Sequence, residues 1–184
     1  TPFLKGTPIR VTLGTSPLLY ADGSVNYLLR YPYGCLEQLS SSTLPWIYEP
    51  LLAKYLPGFK GKSPEDRSRA LQSGVYKIMK NPLSSGGLSY CAYAALALTL
   101  AREQGVYIPE QGLNKLYAYL GHSLSARPRE GLLGAWVLAR AGLMPASLLN
   151  RLLDHAAELR AEDRLYLALA AALSSRAEEK AQAR

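Results

Sequence analysis

The stretch from Tyr90 to Glu103 constrains the fold most, because nearly every position in it is apolar. Alanine and leucine occupy all sides of the helix that this length predicts, whereas a helix at the surface of a protein keeps a polar face. A helix that is apolar all round has to be surrounded by other helices. The sequence therefore predicts an interior helix inside a layered helical domain.

Amphipathic patterns on either side of this stretch predict an all-α fold of eight or nine helices. Ser63 is a helix cap, followed by Pro64 and two acids, and its helix is predicted to end near Lys80. Asn81 to Gly87 is a turn cluster. The other helices are predicted over 24–30, 35–48 with a bend or end at Pro45, 109–120, 129–141, 145–159 and 162–173, and in a frayed segment over 176–184. Their ends are predicted at or near Gly105, Gly121, Gly131 and Gly142.

Short links between these segments make consecutive helices antiparallel neighbours. Helical hairpins with one nearly apolar member predict an α/α toroid, in which the hairpins form two concentric layers. A complete toroid of six hairpins needs about twelve helices of about 11–12 residues each, plus their turns. A chain of 184 residues is too short for that number, so we expect an incomplete toroid.

The first 24 residues differ from the rest of the chain. Ile9, Val11 and Leu13 alternate with polar residues at the period of a β-strand. A single strand must pair with a sheet that lies elsewhere, so residues 1–24 are predicted to belong to an adjoining β domain and residues 25–184 to the helical domain. Because the sequence begins within this segment, as an excised fragment would, we expect any secretion signal or anchor to lie upstream.

The net charge of +7 raises the question of nucleic-acid binding. The basic residues are scattered, however, and in the last third of the chain they alternate with acids, as on solvated helix faces. We therefore predict no nucleic-acid partner. The two histidines and two cysteines lack the spacing of metal ligands, so no metal and no cofactor is predicted.

One octapeptide carries chemistry, the sequence YPYGCLEQ at Tyr31–Gln38. Residues three apart in a helical turn share a face, so the Cys35 sulfur can reach the side-chain carbonyl of Gln38. If the thiol displaces ammonia from that amide, the product is an internal thioester, an acyl group on a leaving group whose thiol has a pKa of about 8.5. Gly34 would allow a positive φ or a close backbone approach beside the ring.

The neighbours of Cys35 are candidates for shielding and for assistance. An activated acyl group that is open to water hydrolyses, so apolar side chains should cover the ring, and the candidates are Tyr31, Tyr33, Leu36 and Trp46. Glu37 holds the motif backbone or assists proton movement, or it simply complements the helix dipole. The hydroxyls of residues 40–43 either hydrogen-bond near the acyl group or bond back to helix carbonyls.

The octapeptide resembles the thioester signature of bacterial alpha-2-macroglobulins, a family related to vertebrate alpha-2-macroglobulin and to the thioester-containing complement proteins. The similarity extends over about residues 8–120 and includes Gly86–Tyr90, Ala92–Ala95 and Gly105–Pro109. It implies an α/α-toroid thioester domain inserted into a small β domain of the CUB-like kind, to which residues 1–24 would belong.

The resemblance also implies a function. A protease cuts a bait segment elsewhere in the parent protein, and one of its lysine amines then attacks the Gln38 acyl carbon and is held covalently. Such a trap acts once and is not an enzyme. The implied partners are target proteases, other domains of the parent protein and periplasmic cell-wall enzymes. The implied location is the periplasm or cell envelope, and the implied role is bacterial defence.

Two features fall outside the family pattern. Cys91 follows Tyr90 directly, where the family usually has a tryptophan and a loop, so a loop has been lost or a segment is absent. Some complement relatives use a histidine to direct attack by hydroxyls. His122 and His155 are the candidates here, although neither lies in a motif.

Other interpretations of the same residues remain open. Cys35 could be an inert buried cysteine in a helical interaction scaffold, or it could form a disulfide with Cys91. An α/α-toroid enzyme acting on glycans would instead need paired acids facing a cleft. The acids considered for this role, which make no obvious pair, are Glu49, Glu65, Asp66 and Asp163.

Overall fold

A computed structural model of the chain describes residues 6, 11, 13, 15, 21–29, 34–56, 62–81, 88–128 and 131–182. Within these residues the regular secondary structure is helical and no β-strand occurs, which confirms the predicted all-α class. The predicted strand falls largely outside the described residues. Val11 and Leu13, which are described, are exposed and lie in irregular backbone.

Nine α-helices lie within the described ranges, together with one short 3₁₀ turn at Ala156–Glu158. In chain order the helices are α1 (Asp22–Leu28), α2 (Leu36–Ile47), α3 (Glu49–Leu52), α4 (Pro64–Lys80), α5 (Leu88–Glu103), α6 (Glu110–Ala126), α7 (Leu132–Arg140), α8 (Ala146–Asp154) and α9 (Ala161–Gln182).

Several boundaries differ from those predicted, each for a local reason. The helical region begins at Asp22, inside the segment assigned to the β domain. Gly121 lies within α6 instead of ending it, because the apolar face continues to the buried Leu124. Pro45 is accommodated near the end of α2 without terminating it. α9 continues as one helix through residues 174–175, where a break was predicted.

The helices form two layers. α5 contacts both α2 and α7, and α7 in turn packs extensively on α9, so these four helices make a continuous inner series. α5 is buried along its length from Cys91 to Ala101 with the exception of the half-buried Tyr93. α4, α6 and α8 alternate with this series along the chain and each keeps an exposed face. The predicted interior helix is therefore the observed one.

The buried polar groups of the inner layer are satisfied by hydrogen bonds. Thr99, in the middle of α5, is 1% exposed, and its hydroxyl donates to the Ala95 carbonyl at 2.6 Å. The same oxygen lies 2.8 Å from the hydroxyl of Tyr117 on α6. Because an unpaired polar group in this position would be costly, this pair fixes how α5 and α6 sit against each other.

α4 runs antiparallel along α2, and its first turn is bonded to the end of α2. Arg67 donates from Nε to the Trp46 carbonyl at 3.0 Å and from a terminal nitrogen to the Ile47 carbonyl at 3.2 Å. These carbonyls belong to the last turn of α2, where helix carbonyls lack an internal partner. Arg67 also donates to Gln104 beyond the end of α5 at 2.9 Å. One guanidinium thus links α4 to the ends of two inner helices.

The middle of α4 approaches α2 closely at Gly74. A Cβ atom built on Gly74 would collide with the side chain of Thr43, which is itself 2% exposed. The two helices can pack at this distance because one of them has no side chain at the contact. No helix in the described part of the chain is both long and apolar enough to cross a membrane.

Candidate functional site

The candidate site lies at the start of α2, where Cys35 is the N-cap and Gln38 occupies the third helical position. Cys35 has extended backbone, with φ −70° and ψ 159°, and the two residues form a capping box. The Gln38 side chain folds back so that its Oε1 accepts from the backbone N–H of Cys35 at 3.4 Å. The Cys35 side chain faces the backbone N–H of Gln38 in the reciprocal half of the box.

A contact from the far end of α4 reaches the residue before Cys35. Asn81, the C-cap of α4, donates from Nδ2 to the Gly34 carbonyl at 2.9 Å, while its own backbone N–H bonds to Ile78 at 3.1 Å. Gly34 and Asn81 are 47 residues apart in the sequence. The entry into α2 is therefore held by the antiparallel neighbour of α2.

The exposure of the motif residues alternates. Cys35 and Glu37 are exposed, Gln38 is half-buried, and Leu36 is 6% exposed and belongs to the core. The burial of Leu36 anchors the first turn of α2 while leaving the Cys35 side chain accessible. Tyr31 and Tyr33, two of the predicted shielding residues, lie outside the described residues.

The positive φ or close backbone approach predicted for Gly34 is not seen in the described residues. Gly34 is not among the glycines with positive φ, and no described atom lies within 4 Å of the position that a Cβ would take. Neither a left-handed backbone nor a close approach therefore requires glycine in this conformation. Gly34 instead contacts Asn81 through its carbonyl oxygen.

A cavity of about 560 Å³ adjoins the motif between α1, α2 and α4. Gly34 and Asn81 lie at one end of it, and Trp46 also lines it. Trp46 follows Leu36 by ten residues, about 15 Å along the helix axis at 1.5 Å per residue. Its ring is half-buried and lies 5.8 Å from the Lys62 ammonium. Trp46 therefore does not lie directly over Cys35.

The charged residues that line this cavity are Lys77 and Lys80, and no carboxylate is among the described lining residues. Two of the four acids considered for a glycan-acting site are engaged elsewhere. Asp66 bonds to Ser63 and Arg69, and Asp163 accepts from Arg160 at 2.9 Å. The described residues bring no pair of acids into the cavity.

The hydroxyls that follow the motif bond within their own helix. Ser40 donates to the Leu36 carbonyl at 2.7 Å, and Thr43 and Ser42 donate to the Leu39 carbonyl at 2.7 and 3.0 Å. Of the two roles predicted for these hydroxyls, the structure supports bonding back to helix carbonyls.

The two cysteines have opposite environments and form no disulfide with each other. Cys91 is 0% exposed inside the continuous helix α5, and burial raises the pKa of its thiol. The description of an inert buried cysteine therefore fits Cys91 and not the exposed Cys35.

The two histidines lie away from the residues around Cys35. His122 is exposed on α6 and lines a separate cavity of about 420 Å³ beside α8. His155 is the C-cap of α8, with its Nδ1 4.0 Å from Glu158. Neither lines the cavity at Gly34. Among the described residues, no group of histidine, cysteine and acidic side chains could hold a metal ion.

The contact between Asn81 and Gly34 was not predicted from the sequence, which placed Asn81 in a turn cluster without a function. The local signal, an asparagine before a proline at the end of a helix, predicts only a chain reversal. Its partner Gly34 becomes visible only once α4 is known to run antiparallel to α2.

Comparison with known proteins gives a consistent result. No protein-family model matches the chain. Alpha-2-macroglobulin of Escherichia coli strain K12 is 28% identical over an alignment of 117 residues, which covers 58% of this chain and 7% of that protein.

Two solved structures of the Escherichia coli protein have a similar fold. The native structure that spans domain MG7 to the C-terminus has a TM-score of 0.69 at 24% identity, over 88% of this chain and 30% of that chain. The native conformation determined by cryo-electron microscopy has a TM-score of 0.70 at 25% identity, over 88% of this chain and 12% of that chain. The chain thus spans less than a third of either structure, and the sequence and structural matches together identify it as a homologue of bacterial alpha-2-macroglobulin.

Proposed function

We propose that the chain is a thioester domain in which Cys35 and Gln38 form an internal thioester that captures amines covalently. The observation that carries this proposal is the Gln38 amide, which folds back onto Cys35 with its oxygen 3.4 Å from the Cys35 backbone nitrogen. The Gln38 acyl group thus lies beside the residue that carries the thiol, which supports the proposed reaction between them. The two-layered helical arrangement supports the assignment as part of an α/α toroid.

Formation of the thioester requires attack of the Cys35 sulfur on the Gln38 Cδ atom. A Cδ–S bond forms, the Cδ–Nε2 bond breaks, and ammonia leaves with the proton of the thiol. The positive end of the α2 dipole lies at this position and favours negative charge on the atoms that react there. The core residue Leu36 supports the turn in which the reaction takes place.

Capture reverses the roles of the two groups. An incoming amine attacks Cδ, the Cδ–S bond breaks, and the sulfur leaves as a thiolate that takes up the proton released by the amine. The product is an amide on the Gln38 side chain and a thiol on Cys35. The reaction consumes the acyl group, so each molecule acts once as a covalent trap.

Homology to alpha-2-macroglobulin extends the proposal to a biological role. The attacking amine would be a lysine of a protease that has cut a bait segment in another domain of the parent protein. We propose target proteases and those other domains as partners, and periplasmic cell-wall enzymes as associated proteins. The proposed location is the periplasm or cell envelope, and the proposed role is bacterial defence. Tyr31 and Tyr33 are the proposed shield, whereas Leu36 lies in the core beneath the turn, and Glu37 has a subsidiary role.

Treatment of the native protein with methylamine tests the chemistry. Before treatment the intact mass should be lower than that calculated from the sequence by one ammonia, and no accessible thiol should titrate. Methylamine should then add its mass, release one accessible thiol at Cys35 and place a methylamide on Gln38. Cys91 contributes little to the native titre because it is buried and its pKa is raised.

Cys35→Ala is the matched control, since Cys35 is exposed and its loss should leave the helices intact. The variant should keep the mass calculated from its sequence and should incorporate no methylamine. A wild-type protein whose Cys35 titrates before treatment and whose mass shows no loss of ammonia would contradict the proposal.

A further inference from the structure

We infer that Asn81 is a positioning residue for the thioester, acting through the peptide unit that joins Gly34 to Cys35. The inference rests on the proposed function and assigns a role to a side chain outside the octapeptide. Asn81 closes α4 and donates from Nδ2 to the Gly34 carbonyl at 2.9 Å.

Both polar ends of this one peptide unit are engaged. Its oxygen, on Gly34, accepts from Asn81, and its N–H, on Cys35, donates to Oε1 of Gln38 at 3.4 Å. A peptide unit is planar and rigid, so fixing its oxygen also fixes the direction of its N–H. Asn81 thereby determines where the Gln38 carbonyl is held relative to the Cys35 side chain.

The same contact has an electrostatic consequence. When sulfur or an amine attacks Cδ of Gln38, negative charge develops on Oε1, and the donor to that atom is the Cys35 backbone N–H. A preorganised donor at such an oxygen lowers the barrier. Hydrogen bonds in a chain polarise one another, so donation by Asn81 to the Gly34 carbonyl makes the Cys35 N–H a stronger donor.

Asn81 is suited to this task by its place in the fold. Its backbone N–H is bonded to Ile78 in the last turn of α4, which fixes the backbone from which the side chain extends. Gly34 is exposed. Among the described residues, Asn81 provides the side-chain donor to its carbonyl. Loss of the amide group would therefore leave the oxygen to solvent and the peptide unit without this constraint.

The experiment measures formation of the thioester during folding. Protein purified in denaturant, with the mass expected from its sequence, is refolded by dilution, and loss of ammonia is followed by intact mass. Asn81→Asp keeps the shape of the side chain but presents oxygen to oxygen at Gly34, so ammonia loss should be roughly three- to tenfold slower, the factor that one hydrogen bond supplies. Aminolysis by methylamine should slow in the same direction.

Two variants separate positioning from folding. Asn81→Gln keeps an amide donor, so its rate of ammonia loss should be close to that of the wild type. If only the shape of the Asn81 side chain mattered, Asn81→Asp would instead keep the wild-type rate and Asn81→Gln would not. Asn114→Asp, at an exposed position on α6, is the control for charge and should form the thioester at the wild-type rate. Helix content and thermal unfolding should be matched across the series.

The outcomes for the two proposals are distinguishable. If wild-type protein loses ammonia and Asn81→Asp does so at the same rate, the role of Asn81 is overturned and the thioester stands. If the wild-type protein never loses ammonia, the proposed function fails, and the role of Asn81 fails with it.

Discussion

The starts of α2 and α4 use the same local geometry for different chemistry. At α4, the Ser63 hydroxyl accepts from the Asp66 backbone at 3.1 Å, and the Asp66 carboxylate accepts from the Ser63 backbone at 3.2 Å. At α2, Cys35 and Gln38 occupy the equivalent capping positions. Both boxes satisfy backbone N–H groups that have no partner inside the helix.

The difference lies in what the paired side chains can do. A hydroxyl beside a carboxylate is a stable hydrogen-bonding pair, and the negative carboxylate resists nucleophilic attack. A thiol beside a neutral amide combines a strong nucleophile with an acyl carbon. Asn81 contacts the residue before the α2 box and not the α4 box. If the proposed thioester forms, the α2 box differs from the ordinary α4 box by two changes of side-chain type and one tertiary contact.

The largest expected effect comes from giving the α2 box a serine hydroxyl at its N-cap, as in the α4 box. Cys35→Ser should abolish both the loss of ammonia and the incorporation of methylamine, because an alcohol is a far weaker nucleophile than a thiol at neutral pH. Since serine is a good N-cap, the free energy of unfolding should stay within about 0.5–1 kcal/mol of the wild type. Intact mass and urea unfolding measure the two quantities.

The other cysteine supplies the matched control. Cys91→Ser places a hydroxyl in the core and should cost about 1–3 kcal/mol, with methylamine incorporation retained. If Cys91→Ser abolished incorporation while Cys35→Ser retained it, the assignment of the reactive thiol would be wrong.

The second prediction concerns the close packing between α2 and α4, the helices that begin with the two boxes. Gly74→Ala forces a Cβ against the buried Thr43, so it should destabilise the protein by about 1–2 kcal/mol, overpacking being partly offset by the higher helix propensity of alanine. Gly112→Ala on α6 meets only the flexible end of Met79 and should be neutral or stabilising by up to about 1 kcal/mol. Urea unfolding of both variants checks this, and equal effects would contradict the close α2–α4 contact.

The smallest expected effect is on the pH dependence of stability, because the α4 box contains an ionisable carboxylate and the α2 box does not. Hydrogen bonds from the backbone and side chain of Ser63, together with Arg69, hold the pKa of Asp66 below its ordinary value of 3.8. A lowered pKa in the folded state contributes stability above pH 3.8, and this contribution is lost as the pH falls through the folded pKa. Gln38 does not ionise, so the α2 box should add no such dependence.

Unfolding by urea between pH 6 and about pH 3 measures the effect. Asp66→Asn should lose less stability on acidification than the wild type, whereas Gln38→Glu should acquire a dependence in this range that the wild type lacks at α2. Identical acid profiles for the wild type and Asp66→Asn would show that the α4 box makes no ionic contribution.

Much of the fold was predictable because hydrophobic periodicity and caps are local signals. The interior helix from Tyr90 to Glu103 and the helix after Ser63 were found within two residues of their observed bounds. The end of α6 was misplaced because Gly121 was taken as a stop, although packing against α7 tolerates it within the helix. Tertiary contacts can outweigh the local preference of glycine.

The candidate site was predictable to the extent that it is local. Cys35 and Gln38 lie in one helical turn, so their proximity follows from spacing alone, and in the structure the Gln38 side chain bonds to the Cys35 backbone. The role of the Gly34 carbonyl was not predictable, because it depends on a residue at the far end of another helix. The hydroxyls after the motif were ambiguous until their bonds to helix carbonyls were seen.

The way in which α4 holds α2 has a mechanical consequence. Arg67 bonds to the carboxyl end of α2, Gly74 packs against its middle, and Asn81 bonds to its entry, so α4 contacts α2 at three points along about 21 Å. α4 belongs to the outer layer and keeps an exposed face. Any domain or protein that packs on that face would therefore contact the helix that holds the peptide group beside Cys35.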